Sequence, residues 1–265
     1  MIQLSSSALD QLLTPCLVVD VPAASRNIRR CAAFFSGQPA ALRPHFKAHK
    51  CTTLMRQQLA AGGCAGVACQ TSWEALVLAR AGFGDILIAN QIVDAAALDE
   101  VAEAASLARL TVVVDHELQV GLLARAAARR GVPIGALVEL DVGAGRCGLP
   151  FGDACLVPLA EQITRQEGLS FRGLQAYEGH AVHRDSREVR ATLVQQAVLQ
   201  IQHEQVSLTA GPGALAVGDK VLLIPAHVDP AVNLYDRLFA WSGTEFTEWE
   251  VDGRRRYRLP GPPAG

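Results

Sequence analysis

The chain has 265 residues and a formal net charge of −2; half of its residues are hydrophobic and 19% are charged. That balance carries no electrostatic footprint for nucleic acid or an anionic membrane, and the apolar content is too high for a disordered chain. No apolar run reaches the roughly 18 residues of a membrane helix, and the opening MIQLSSSALDQLL lacks a basic, then apolar, secretory signal. The seven cysteines show no C-x-x-C zinc spacing, so free thiols in a reducing cytoplasm are expected.

Strand-like and helix-like stretches alternate from residue 15 to about 204. Cys16–Asp20 reads as a strand, with a helix starting at Pro22, whose ring suits a first turn. Leu42–Ala48 is the next predicted strand and Cys51–Ala61 its helix. Ala65–Gln70 and Asp85–Asn90 follow as strands, with a helix over Trp73–Ala81 between them, capped by Thr71 or Ser72. Further on come a helix at Asp94–Ala108, a strand at Leu110–Asp115, and a helix at Glu117–Arg130 that stops at Gly131. Ile134–Val142, Asp153–Glu167, Leu169–Glu178 and Arg187–His203 complete the series as strand, helix, strand and helix. Seven β-then-α units predict parallel strands with right-handed crossovers. A complete eight-unit barrel takes about 250 residues, and the eighth strand is missing from its expected place.

Beyond residue 204 the character changes. GDKVLLIP reads as a strand. Glu245–Arg256 reads as a hairpin turning at Asp252-Gly253, with WEV before and RRRYR after. The expected organisation is a barrel over 1–204 and a small antiparallel β piece over 205–258.

Four stretches could carry chemistry. In RPHFKAHK (Arg43–Lys50), alternation on a strand would put His45, Lys47 and His49 on one face. At the carboxyl end of a barrel strand that face is the mouth, where desolvation favours a neutral, nucleophilic lysine amine. A surface basic cluster, or a lysine paired with a carboxylate, explains the same spacing. VELDVGAGRCG (Val138–Gly148) matches G-x-G-x-x-G through Gly143, Gly145 and Gly148. Pro150 and the late position argue against a dinucleotide site, and Arg146 becomes the residue of interest, as a binder of a phenolate or carboxylate or as a rim ion pair. LQAYEGHAVH (Leu174–His183) brings Tyr177, His180 and His183 to the mouth, as reactive groups or as packed polar residues. In PAHVDP (Pro225–Pro230), His227 and Asp229 share a face if extended, and form either a divalent-metal pair or a loop hydrogen bond.

Taken with TPCLVVD (Thr14–Asp20) and GDKVLLIPAHVDPAVNLYD (Gly218–Asp236), these segments resemble the fold-type III pyridoxal-phosphate enzymes, in the branch of D-threonine aldolase and D-serine dehydratase. The resemblance implies an alanine-racemase-like (β/α)8 barrel that holds pyridoxal 5'-phosphate, plus a β-domain with a divalent metal (Mn2+, Zn2+ or Mg2+). It implies that Lys47 forms the Schiff base, and that His45, Arg146, Tyr177 and His180 surround the cofactor. His183 would act on the substrate hydroxyl, and His227 and Asp229 would hold the metal. The implied activity is cleavage of β-hydroxy-D-amino acids to glycine and an aldehyde. D-serine or 3-hydroxy-D-amino acid dehydration and a non-catalytic cofactor-binding protein are the alternatives. H-x-D, rather than H-x-C, points to the aldolase branch. A small-molecule substrate, no nucleic acid or membrane partner, and a homodimer are the expected associations.

One departure stands out. The family's G-G-G-T/S-G-T-like segment, whose amides grip the cofactor phosphate, has no counterpart after the seventh unit. Weak cofactor binding and low activity are therefore expected of this chain.

Overall fold

A computed structural model describes residues 12–13, 16–182, 184, 186–209, 237–242 and 245–253. In chain order the elements are β1 (Leu17–Asp20), α1 (Val21–Phe35), a short 3-10 turn (Phe46–Ala48), α2 (Thr52–Ala60), β2 (Val67–Cys69), α3 (Ser72–Arg80), β3 (Asp85–Ile88), α4 (Ala95–Leu107), β4 (Arg109–Val114), α5 (Glu117–Arg130), β5 (Ile134–Asp141), β6 (Leu149–Pro150), α6 (Leu156–Arg165), β7 (Leu169–Ala176), α7 (Gly179–Val182), α8 (Arg187–Thr209), β8 (Arg237–Trp241) and β9 (Phe246–Glu250).

Local chemistry sets the helix ends. Asp20 caps α1 by accepting from Ala23 N–H at 2.8 Å, with Pro22 in the first turn. Thr71 caps α3, and Asp94 caps α4. His116 and Gln119 form a capping box at the start of α5. Gly131 ends α5 at φ 63°, the left-handed conformation a glycine adopts without penalty.

The main sheet is parallel throughout, in the order β2-β3-β4-β5-β7, with short β6 also on β5. Both of its faces are buried, as parallel sheets require. On one face Ile86, Ile88, Val112, Val114 and Val138 pack against helix residues such as Leu78, Leu98, Val101 and Leu123. On the other, Ala68, Leu87, Ala89, Val113 and Leu137 form a separate buried layer. This is the predicted α/β barrel architecture, and a small β piece from the tail accompanies it.

Three predicted elements are placed differently. First, Cys16–Asp20 is a strand but pairs with β8 in parallel, Leu17 opposite Leu238, in a second sheet of order β1-β8-β9. Its partner strand, Arg237–Trp241, has no counterpart among the sequence predictions. The two sheets have separate cores, the small one built on Cys51, Leu238, Ala240, Trp249 and Val251. Second, Leu42–Ala48 is not a continuous strand. It makes isolated bridges, Leu42 to Cys64 and His45 to Ala68, and then winds into the 3-10 turn. Pro44 has no N–H to give a ladder, and His45 Nδ1 accepts from Lys47 N–H at 3.3 Å, which favours the turn. Third, the strand expected over Glu245–Arg256 covers Phe246–Glu250 and pairs antiparallel with β8. The RRRYR half of the expected hairpin and the GDKVLLIP strand lie outside the described residues.

Candidate active site

The carboxyl ends of the parallel strands converge on a cavity lined by His45, Lys47, Gln70, Ala89, Arg146, Gln175, Ala176 and Tyr177. Each comes from the loop or turn that follows a strand or bridge of the main sheet, save Gln175 and Ala176, which close β7 itself. This is the end of a β/α architecture where loops of different units meet.

The 3-10 turn presents Lys47 and His45 together. Burial, and then the charges of Lys47 and Lys50, lower the His45 pKa from 6.5 to about 3, so the imidazole is neutral. His49 does not share their position. Its Nδ1 accepts from Cys51 N–H at 3.1 Å and its Nε2 pairs with Gln58 at 3.1 Å, so it braces the start of α2. The predicted common face for His45, Lys47 and His49 fails because the turn replaces strand alternation. Lys50 is buried and forms an ion pair with Glu74, whose other oxygen accepts from Gln70 N–H at 2.8 Å.

Arg146 lines the same cavity. Its guanidinium lies 4.2 Å from the centre of the Tyr177 ring, within cation–π range. Its Nη2 reaches the buried Glu139 at 3.4 Å. Glu139 also accepts from Gln91 at 2.5 Å, and Gln91 donates to Asp115 at 3.0 Å. Asp115 in turn accepts from Gly148 N–H at 2.9 Å and from Gln119 at 2.8 Å. Burial pushes the Glu139 carboxyl above the usual range, while Gln91 and Arg146 oppose that shift. The network fixes Arg146 and the Gly148 end of the glycine loop that carries it. Gly148, at φ 100°, has no room for a side chain: a Cβ would lie 2.7 Å from Asp141 N.

Two glycines make room for the rings of Tyr177 and His180. Tyr177 folds over Gly179, where a Cβ would sit 2.3 Å from the ring. The His180 ring lies against Gly143, 3.2 Å from where a Cβ would stand, with its Nδ1 buried and unpartnered among the described residues. Glu178 is buried, and desolvation raises its carboxyl pKa above the ordinary value.

The structure thus brings Lys47, His45, Arg146 and Tyr177 to one cavity and sets His180 against the glycine loop of Arg146. His183, His227 and Asp229 lie outside the described residues. Among the described residues no group of three or more His, Cys, Asp or Glu could hold a metal. Glu139, Gln91, Asp115 and Gln175 escaped the sequence reading. Glu139 stands in the quoted VELDVGAGRCG segment, but nothing in the sequence pairs it with a glutamine 48 residues earlier.

The described groups suit a flat, anionic, carbonyl-bearing ring such as pyridoxal phosphate. They offer an amine, a guanidinium seated over an aromatic ring, and an uncharged imidazole. Gln175 is 2% exposed, and its Oε1 lacks a partner among the described residues, which leaves an unsatisfied acceptor in the cavity wall.

Comparison with known proteins agrees. The family described as alanine racemase, N-terminal domain, matches residues 19–224. A D-threonine aldolase of Arthrobacter sp. is 41% identical over 184 residues, covering 69% of this chain and 48% of that protein. A 3-hydroxy-D-aspartate aldolase of Paracoccus denitrificans (strain Pd 1222) is 35% identical over 201 residues, covering 76% and 52%. The chain spans about half the length of these curated relatives. The crystal structure of D-threonine aldolase from Filomicrobium marinum superposes with a TM-score of 0.82 at 23% identity, covering 93% of this chain and 97% of that one. D-threo-3-hydroxyaspartate dehydratase from Delftia sp. HT23 gives 0.70 at 22% identity, covering 82% and 61%.

Proposed function

The chain belongs to the alanine racemase N-terminal domain family, and from that premise we propose that it is a lyase dependent on pyridoxal phosphate and a divalent metal, of the D-threonine aldolase type. It would cleave β-hydroxy-D-amino acids to glycine and an aldehyde. The observation that carries this reading is the joint presence of Lys47, Arg146 and Tyr177 at one cavity on the carboxyl ends of the strands. The likeness to two aldolases supports the same choice over dehydration.

Lys47 supplies the amine that would hold the cofactor covalently. Arg146, braced by Tyr177 and Glu139, would stand beside its phenolic oxygen and keep that oxygen anionic. His45, uncharged, adds no competing cation beside Lys47. When bound, pyridoxal phosphate serves as the electron sink at the substrate Cα. His227 and Asp229 are an imidazole–carboxylate donor set that suits Mn2+, Zn2+ or Mg2+. An ion held there would acidify the substrate's β-hydroxyl, and His183 would take its proton. His180 would flank the cofactor. The missing glycine-rich phosphate segment makes cofactor retention weak. A homodimer and a cytoplasmic location complete the proposal; among the described residues no helix is long and apolar enough to cross a membrane.

The test is a visible absorbance titration with pyridoxal phosphate for wild type and Lys47→Ala, followed by turnover of D-threonine and D-serine with Mn2+. A lysine-bound cofactor band in wild type alone, with aldehyde released from D-threonine, supports the reading. Keto acid from D-serine without aldehyde would transfer it to the dehydratase branch. No band at saturating cofactor would sink it.

A further inference from the structure

The chain's tail touches the turn that carries Lys47. Gly253 N–H donates to Lys50 C=O at 3.0 Å. Gly253 C=O accepts from Trp73 Nε1–H at 3.2 Å, across 180 residues. The neighbouring Asp252 accepts from Thr52 N–H at 3.2 Å and from the Thr52 hydroxyl, so it caps α2 just after the turn. Gly253 also fills a space with no room for a side chain. A Cβ there would lie 2.3 Å from Phe46 Cε1 and 3.2 Å from Lys50 Cβ. Phe46 is fully buried and immediately precedes Lys47. The Gly253 backbone is not left-handed, so the requirement for glycine is one of space alone.

Lys50 itself is held at φ 48°, unusual for a residue with a side chain. A non-glycine residue keeps such a conformation only when its surroundings over-determine it. Here a main-chain bond to Gly253 and the buried pair with Glu74 do so. The turn from Phe46 to Lys50 is therefore pinned on one side by α3 and on the other by the tail.

We propose that Gly253 and Trp73 are positioning residues for Lys47: the tail is a strap that fixes the Phe46–Lys50 turn and so sets where the cofactor-binding amine stands. The inference rests on the reading of Lys47 as the cofactor lysine. It gives the C-terminal β piece a role at the cavity beyond any part in metal binding.

Gly253→Ala and Trp73→Phe are compared with wild type by pyridoxal phosphate titration, borohydride trapping of the lysine-bound cofactor, and hydrogen exchange over residues 45–50. Gly253→Ala should weaken cofactor binding about tenfold, the scale of one overpacked contact. Trp73→Phe, which removes the indole donor, should weaken it about fivefold. Exchange should rise over 45–50 and stay unchanged in β3–β5. Adding Phe46→Leu to Gly253→Ala opens space for the methyl group and should restore most of the affinity. A general loss of stability would spread the exchange change beyond the turn, and that spread is what separates it from the strap. Wild-type affinity and wild-type exchange in both variants would overturn the strap, as would exchange rising equally across the whole sheet. If Gly253→Ala does not fold, Trp73→Phe alone decides. If wild type binds no cofactor, the reading of Lys47 fails, and exchange over 45–50 still decides whether the tail pins the turn.

Discussion

Arg146 stacks on Tyr177, its guanidinium carbon 4.2 Å from the ring centre, while the same side chain reaches the buried Glu139 at 3.4 Å. One contact seats the guanidinium on the aromatic face and the other anchors its charge. Arg146→Lys keeps the charge but loses the planar stack. With the cation–π contact worth about 0.5–2 kcal/mol, Arg146→Lys and Tyr177→Leu should each lower pyridoxal phosphate affinity roughly tenfold, while Tyr177→Phe should retain most of it. A titration in which Tyr177→Leu binds as tightly as wild type would show that the ring does not position Arg146.

Lys50 and Glu74 form a buried ion pair, with side chains 8% and 0% exposed. Glu74→Gln leaves the ammonium without its charge partner and should cost about 3–5 kcal/mol. The urea midpoint should fall accordingly. The paired change Lys50→Met with Glu74→Leu removes both charges and should recover much of the loss. A Glu74→Gln midpoint within error of wild type would mean that the pair carries no such weight.

Acid should destabilise the protein through its two histidines on the Lys47 turn. Burial is the leading cause for both, and it lowers His45 to about 3 and His49 to about 4 from 6.5. A depressed folded-state pKa means that the stability is fully present above pH 6.5 and is lost as pH falls toward the folded values. For His49 the loss between pH 6.5 and about 4 is on the order of 3 kcal/mol, at about 1.4 kcal/mol per unit. His49→Gln should flatten the fall in melting temperature across that window. Glu139 works the other way, since its raised carboxyl loses stabilisation as pH climbs above its ordinary value of 4.5.

Chelation should separate the two proposed cofactors. After dialysis against EDTA, the lysine-bound cofactor band should persist while aldehyde release falls, on the order of a hundredfold for the loss of several kcal/mol of metal stabilisation. Mn2+ should restore turnover in wild type and fail to do so in His227→Ala. Full turnover after chelation would remove the metal from the proposal.

Much of the architecture was legible from sequence because it rests on local rules. The predicted helix over Glu117–Arg130 has the observed bounds: Gly131 closes it, as its sequence position implies, and a His116–Gln119 capping box opens it. The strands at Asp85, Arg109 and Ile134 are legible because each is a short apolar run, buried on both faces. Lys47 and Tyr177 stand near the carboxyl ends of predicted strands and Arg146 in the glycine segment after one, and the resemblance to the pyridoxal-phosphate enzymes singles the three out.

The tertiary structure decided what depends on partners distant in the chain. Whether Leu17–Asp20 joined the barrel or the tail turned on β8, a strand 220 residues away that shows no alternation of its own. The bend at Phe46, which parts His49 from Lys47, follows from a side-chain to main-chain bond that outweighs strand alternation. Glu139 and Gln91 became one network only when β3 and β5 were laid on either side of β4. Residue types and spacing thus determined which groups are available for chemistry. Packing across long loops decided which of them meet, because buried charges and hydrogen bonds are satisfied by whatever the fold brings within about 3 Å, irrespective of separation along the chain.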